Sequence, residues 1–125
     1  MMKANVIISI GSFNAALAII LGAFAAHGLK QQLDAYSLTV FNTAVDFHFW
    51  QAIGLILVGL LTKIYADKNF VPAVWSMLVG IILFCGSLYL LSVTGIKWLG
   101  AITPIGGVLF IFAWSWLAWK LLRKP

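Results

Sequence analysis

The spacing of the charged side chains constrains this chain more than any other feature. Between Lys3 and Lys30 lie 26 residues without Asp, Glu, Lys or Arg, between Lys68 and Lys97 lie 28, and between Lys97 and Lys120 lie 22. A helix rising about 1.5 Å per residue crosses a hydrocarbon core of about 30 Å in roughly 20 residues, so each interval is long enough to span. A fourth interval, Asp46 to Lys63, holds only 16 residues, and its helix must run back past Asp46. The expected fold is an all-α membrane protein: one four-helix transmembrane domain over residues 1–125, with helices at about 4–27, 38–62, 70–93 and 98–122.

Composition excludes a soluble globule, since 63% of residues are apolar and 9% charged against roughly 45–50% and 25% in soluble domains. No remaining loop is long enough for a nucleotide-binding or hydrolytic domain. The net charge of +5 does not point to nucleic acid, which needs a basic face of clustered Lys and Arg; here the basic residues stand singly between apolar runs. They do orient the helices. With four alternating spans, one side carries Lys3, Lys63, Lys68, Lys120, Arg123 and Lys124 and the other only Lys30 and Lys97. Cationic residues collect on the cytoplasmic side, so both termini are expected there. The single cysteine, Cys85, lies in the third apolar run and can form no intrachain disulfide.

Ala23-Phe24-Ala25 ahead of Ala26 has the form of a signal-peptidase site, but the apolar run from Val6 to Gly22 exceeds the usual 7–15 residues of a signal core, so a retained helix is expected. That helix carries Gly11, Ala15, Ala18, Gly22 and Ala26 as a stripe of small residues on one face. In lipid such a stripe lets helix backbones approach closely, here against a neighbouring helix, with a self-dimer as the sharper alternative. Gly86, Gly106 and Gly107 are expected to serve packing in the same way. Ser37 is the expected N-cap of the second helix. The fourth helix has two possible starts, at Trp98 with a kink at Pro104, or at Pro104 with Thr103 as N-cap. The six tryptophans fall toward the two ends of the spans, as an interfacial belt does.

Polar side chains gather in the outer half of the expected bundle: His27, His48, Gln51, Ser87, Tyr89 and Thr103, with Asp46, Ser92 and Thr94 nearby. Such residues face the bundle interior and either hydrogen-bond across helices or mark a site for a ligand or proton. Around the second helix, Asp46 falls on the side opposite His48 and Gln51. His27 is expected to be buried among helices 1, 2 and 4 and hydrogen-bonded, so that its removal lowers the melting temperature. Asp46 is expected near the outer interface, solvated or paired with Lys30 or Lys97. Two histidines without a third ligand do not make a metal or haem site, and no metal or other cofactor is expected. No Gly-rich phosphate loop, Cys-x-x-Cys or serine nucleophile motif is present, and no catalytic residue is assigned.

Four ordered segments resemble one family. Gly22-Ala23-Phe24-Ala25-Ala26-His27-Gly28-Leu29, Thr43-Ala44-Val45 through Leu55, Phe84-Cys85-Gly86-Ser87-Leu88-Tyr89 and Ile102-Thr103-Pro104-Ile105-Gly106-Gly107 are similar, in order and spacing, to the bacterial domain-of-unknown-function 423 family, a relative of vertebrate transmembrane protein 256. The resemblance implies a small inner-membrane protein of four transmembrane helices with no assigned catalytic activity. Gln51 stands where the family usually has a histidine, so a role requiring imidazole there does not carry over, whereas a hydrogen-bonding role does. Ala25 stands where the family usually has glycine.

The expected function is that of a non-enzymatic membrane protein supporting membrane or complex integrity. Its expected partners are membrane lipid and either a second copy or another membrane protein. The alternative is a carrier or channel for a small solute or proton through the outer polar cluster. The almost wholly apolar cytoplasmic half argues against that alternative.

Overall fold

Four helices, each long and apolar enough to cross a membrane, make up most of residues 2–124, the part of the chain that the computed structural model describes. They are α1, Ala4–Leu29; α2, Ala35–Ile64; α3, Val71–Thr94; and α4, Lys97–Leu122. Each boundary has a local cause. Asp34, not Ser37, caps α2: its carboxylate accepts the Ser37 N–H at 2.7 Å. A carboxylate suits the positive end of a helix, so α2 starts at Ala35, earlier than a Ser37 cap allows. The Ser37 N–H, and after it the Ser37 hydroxyl, hold the Asp34 carboxyl below its usual range. At the other end of α3, Gly95 adopts φ 71° and donates its N–H to the Leu91 carbonyl at 2.8 Å, the left-handed stop that glycine provides without a Cβ clash.

Two helices change winding. The last five residues of α1, Ala25–Leu29, form a wider π-turn that carries the helix past His27. In α3 the middle, Ile81–Gly86, is also π-wound, which shifts the face that Ser87 and Tyr89 present relative to Val71–Gly80. Neither winding was expected from the sequence. The start of α4 combines both expected alternatives: Lys97–Ala101 is a 3₁₀ turn that feeds through Ile102 into an α-helix from Thr103 to Leu122. Thr103 is therefore already helical and makes no cap hydrogen bond.

Close backbone contacts define two hairpins. A Cβ at Gly11 would lie 2.8 Å from the Ile56 nitrogen and 2.9 Å from the Ala52 carbonyl oxygen; one at Gly59 would lie 3.0 Å from the Ile8 nitrogen. These glycines bring α1 and α2 together. Gly11 and Ala18 are buried, and a Cβ at Gly22 would sit 3.1 Å from Val45 Cγ1, so this part of the small-residue stripe packs on α2. In the second hairpin a Cβ at Gly106 would overlap the backbone of Phe84, and one at Gly80 would fall 3.2 Å from the Gly106 carbonyl oxygen. A Cβ at Gly107 would meet the Phe84 ring at 3.7 Å, an ordinary contact, so this position does not require glycine for close approach. Gly86 departs from expectation, because a Cβ there meets nothing within 4 Å and no close approach depends on it.

The two hairpins meet along α2 and α3 through side chains. Phe47 lies 4.5 Å from Phe84, centroid to centroid, and Phe84 lies 5.4 Å from Phe110. Leu55, Val58, Val74, Met77 and Cys85 fill the interior. Within the most apolar 18 residues, 44% are buried inside the protein for α2 and 17% for α1, so α2 is the central helix and α1 the peripheral one. At the end of the bundle holding the α2–α3 loop, Lys68 Nζ donates to the Lys120 carbonyl at 2.9 Å and also to that of Arg123, capping the negative end of α4.

Candidate functional site

The polar residues of the outer half do not form one cluster. They resolve into three separate bridges, each tying two or three helices together. The largest centres on His48 of α2, which is 2% exposed. Its Nδ1 lies 3.0 Å from the Tyr89 hydroxyl of α3, and its Nε2 lies 3.0 Å from Asn14 Oδ1 of α1. The Asn14 amide nitrogen donates to the Ile10 carbonyl at 2.9 Å, which turns the amide oxygen toward His48. An amide oxygen only accepts, so Nε2 carries the proton and Nδ1 accepts from Tyr89 in the neutral ring. Both ring nitrogens are thereby engaged: Nε2 carries its proton, and the Nδ1 lone pair is taken up by the Tyr89 hydroxyl and is not free for a metal or haem iron.

The π-wound stretch of α3 ends at Gly86, three residues before Tyr89. A groove of about 350 Å³ between α1 and α3, lined by Leu17, Leu21, Ile81, Ile82 and Gly86, reaches the Asn14–His48–Tyr89 bridge. Below it, Gln51 Oε1 accepts the Trp114 indole N–H at 3.1 Å and joins α2 to α4. Ser87 and Thr103 share a 2.6 Å hydroxyl hydrogen bond that joins α3 to α4, while Ser87 and Ser92 are also placed within donating distance of carbonyls of their own helix. Every buried side-chain nitrogen and oxygen among the described residues has a partner.

His27 is placed otherwise than expected. It lies in the π-wound end of α1, exposed, and its ring makes no hydrogen bond to a described residue. The terminal turn leaves it exposed although the turn itself touches α2, and among the described residues α4 does not pack closely on α1. Asp46 is exposed on α2 and pairs with neither Lys30 nor Lys97; of the three carboxylates only Asp34 accepts a hydrogen bond from a described residue. Asn14 was missed in the sequence, although it falls between Gly11 and Ala18 on the small-residue side of α1 and is the polar group there nearest that stripe. The sequence places Trp114 in an interfacial belt, whereas in the structure its indole serves Gln51.

Four apolar helices whose interior polar groups are paired across the bundle define an integral membrane protein, held together by glycine contacts and hydrogen bonds. Residues 21–107 match the family model described as "Protein of unknown function (DUF423)", and the chain belongs to that family. It is 49% identical over 111 residues to the UPF0382 membrane protein YwdK of Bacillus subtilis, covering 88% of this chain and 90% of that protein. It is also 41% identical over 119 residues to a UPF0382 membrane protein of Staphylococcus epidermidis, covering 95% of this chain and 97% of that one. No solved structure matches the chain.

Proposed function

We propose that this is a non-enzymatic accessory protein of the bacterial inner membrane, with both termini in the cytoplasm, that supports the integrity of the membrane or of a complex within it. The observation that carries this reading is that no fully buried side-chain nitrogen or oxygen among the described residues lacks a partner, His48, Gln51 and Ser87 being joined in separate cross-helix bridges. A polar group satisfied by its neighbours stiffens packing and has little left to offer a passing solute. The preponderance of Lys and Arg at the end holding both termini supports the orientation. The curated relatives are named only as membrane proteins, which agrees with a role that requires no reaction.

A carrier is the second reading, favoured by the groove that leads to His48. Proteoliposomes containing an internal pH dye, together with native purification in mild detergent and mass spectrometry of what co-purifies, separate the two. The accessory reading expects no protein-dependent proton flux and a reproducible protein or lipid partner. A flux abolished by His48→Leu would overturn it.

A further inference from the structure

Asp46 occupies a position that the rest of the molecule does not explain. α2 has 30 residues and is about 45 Å long. A hydrocarbon core of about 30 Å lying wholly along it begins no more than about 15 Å from its first residue. The Asp46 Cα lies about 16 Å in, so every such placement puts that Cα at or inside the edge of the core. It is nevertheless on the outside of the bundle, exposed, with no hydrogen bond to a described residue. A carboxyl group in hydrocarbon costs several kcal/mol without a partner.

One turn further along the same face stands Trp50, 67% exposed. Its indole N–H makes no hydrogen bond to a described residue; among the described residues the indoles that donate are those of Trp114 and Trp116. Tryptophan belongs at membrane interfaces, where its N–H is wet; here it lies at the middle of α2, so a donor and an acceptor both lack partners on one face. Both residues line a groove of about 350 Å³ between α1 and α2, whose floor is formed by Ala18 and Gly22.

We propose that two copies associate side by side in the membrane through this α1–α2 face, the Asp46 carboxyl of each accepting the Trp50 indole N–H of the other. A two-fold axis along the membrane normal places equal residues at equal depth. A helical side chain leans over the turn N-terminal to its own Cα, which brings the Trp50 indole to the level of Asp46. The same patch thus supplies donor and acceptor, as a self-complementary interface requires. The small floor residues leave room beside α1, the helix with least burial of its own. No cation from elsewhere in the chain is needed at that depth.

The test uses the full chain in lipid. In a Cys85→Ala background, Ile53→Cys, on the face shared by Asp46 and Trp50, is expected to give a disulfide-linked dimer in native membranes on mild oxidation. Ile82→Cys, exposed on α3 away from that face, is expected to give none. In liposomes of increasing lipid dilution, Asp46→Ala and Trp50→Phe are each expected to weaken dimerisation on the order of tenfold, and Asp46→Asn, which keeps an acceptor, to weaken it much less. Melting temperatures equal to the parent's establish that the variants fold. A monomer at every dilution, a cross-link to a product of another mass, equal cross-linking through Ile82→Cys, or an undiminished dimer in both Asp46→Ala and Trp50→Phe overturns the proposal.

Discussion

His48 and Tyr89, 41 residues apart in sequence, meet at 3.0 Å between Nδ1 and the phenolic hydroxyl, and this contact joins the first hairpin to the second. Hydrogen bonds between membrane helices average about 0.6 kcal/mol and reach about 1.7 kcal/mol. Tyr89→Phe is therefore expected to cost an amount in that range in detergent unfolding. His48→Leu is expected to cost more, about 1–3 kcal/mol, because it strands both Tyr89 and Asn14 in an apolar interior. A double-mutant cycle between His48 and Asn14 should show positive coupling; strict additivity would count against the bridge.

Gly106 and Gly86 are expected to respond oppositely to a methyl group. At Gly106 the added Cβ overlaps the Phe84 backbone, so Gly106→Ala should force α3 and α4 apart and cost about 1–3 kcal/mol. At Gly86 the added Cβ meets nothing, and alanine gains up to about 1 kcal/mol of helix propensity. Comparing the two melting temperatures checks both.

His27→Ala is expected to leave stability within about 0.5 kcal/mol of the parent, because the ring is exposed and bonds to no described residue. A large loss of melting temperature would show that His27 finds a partner in the membrane.

The orientation is open to direct labelling. In a Cys85→Ala background, single cysteines at Gln32 and Lys97 should react with an impermeant thiol reagent added to intact cells, and one at Ala66 should not. All three positions are exposed in loops or at helix ends. The reverse pattern would invert the topology.

Asp34 makes the start of α2 sensitive to acid. Its carboxyl is held below its unfolded value by the Ser37 N–H, so its contribution is present above that unfolded value and lost as pH falls through the lowered folded one. Asp34→Asn keeps a side-chain acceptor at the cap without a titrating group. The protection of the Ser37 amide, its exchange rate relative to the intrinsic rate at the same pH, should therefore fall on acidification in the parent and stay unchanged in the variant.

How far the sequence reveals this molecule depends on how local each cause is. The spans follow from charge spacing because burying a charge in lipid costs more than any competing local preference. The burial of His48 and Gln51 opposite Asp46 follows from helical phase alone. Asp34 and Ser37 both have cap-forming side chains, and only the backbone geometry at Asp34 decides between them. Asn14 is a single amide in an apolar helix, and its meaning depends on His48, 34 residues away. The π-winding of Ile81–Gly86 leaves no mark on hydrophobic periodicity in a helix apolar on every side. His27 belongs to the same class, because a one-residue change of winding at the end of α1 decides whether its ring faces protein or surroundings.

The close glycine-to-backbone contacts lie within each hairpin, and the contacts between hairpins are made by side chains, those of Trp114 and Met77 against Gly54 included. Gly11 and Gly59 clasp α1 to α2, and Gly80 and Gly106 clasp α3 to α4; across the join stand His48 with Tyr89, Gln51 with Trp114 and Phe47 with Phe84. Each half can thus enter the bilayer and close on itself before its counterpart exists, and the halves then dock as preformed units. A chain severed in the loop between Ile64 and Val71 should accordingly reassemble when its two pieces are made separately in one cell.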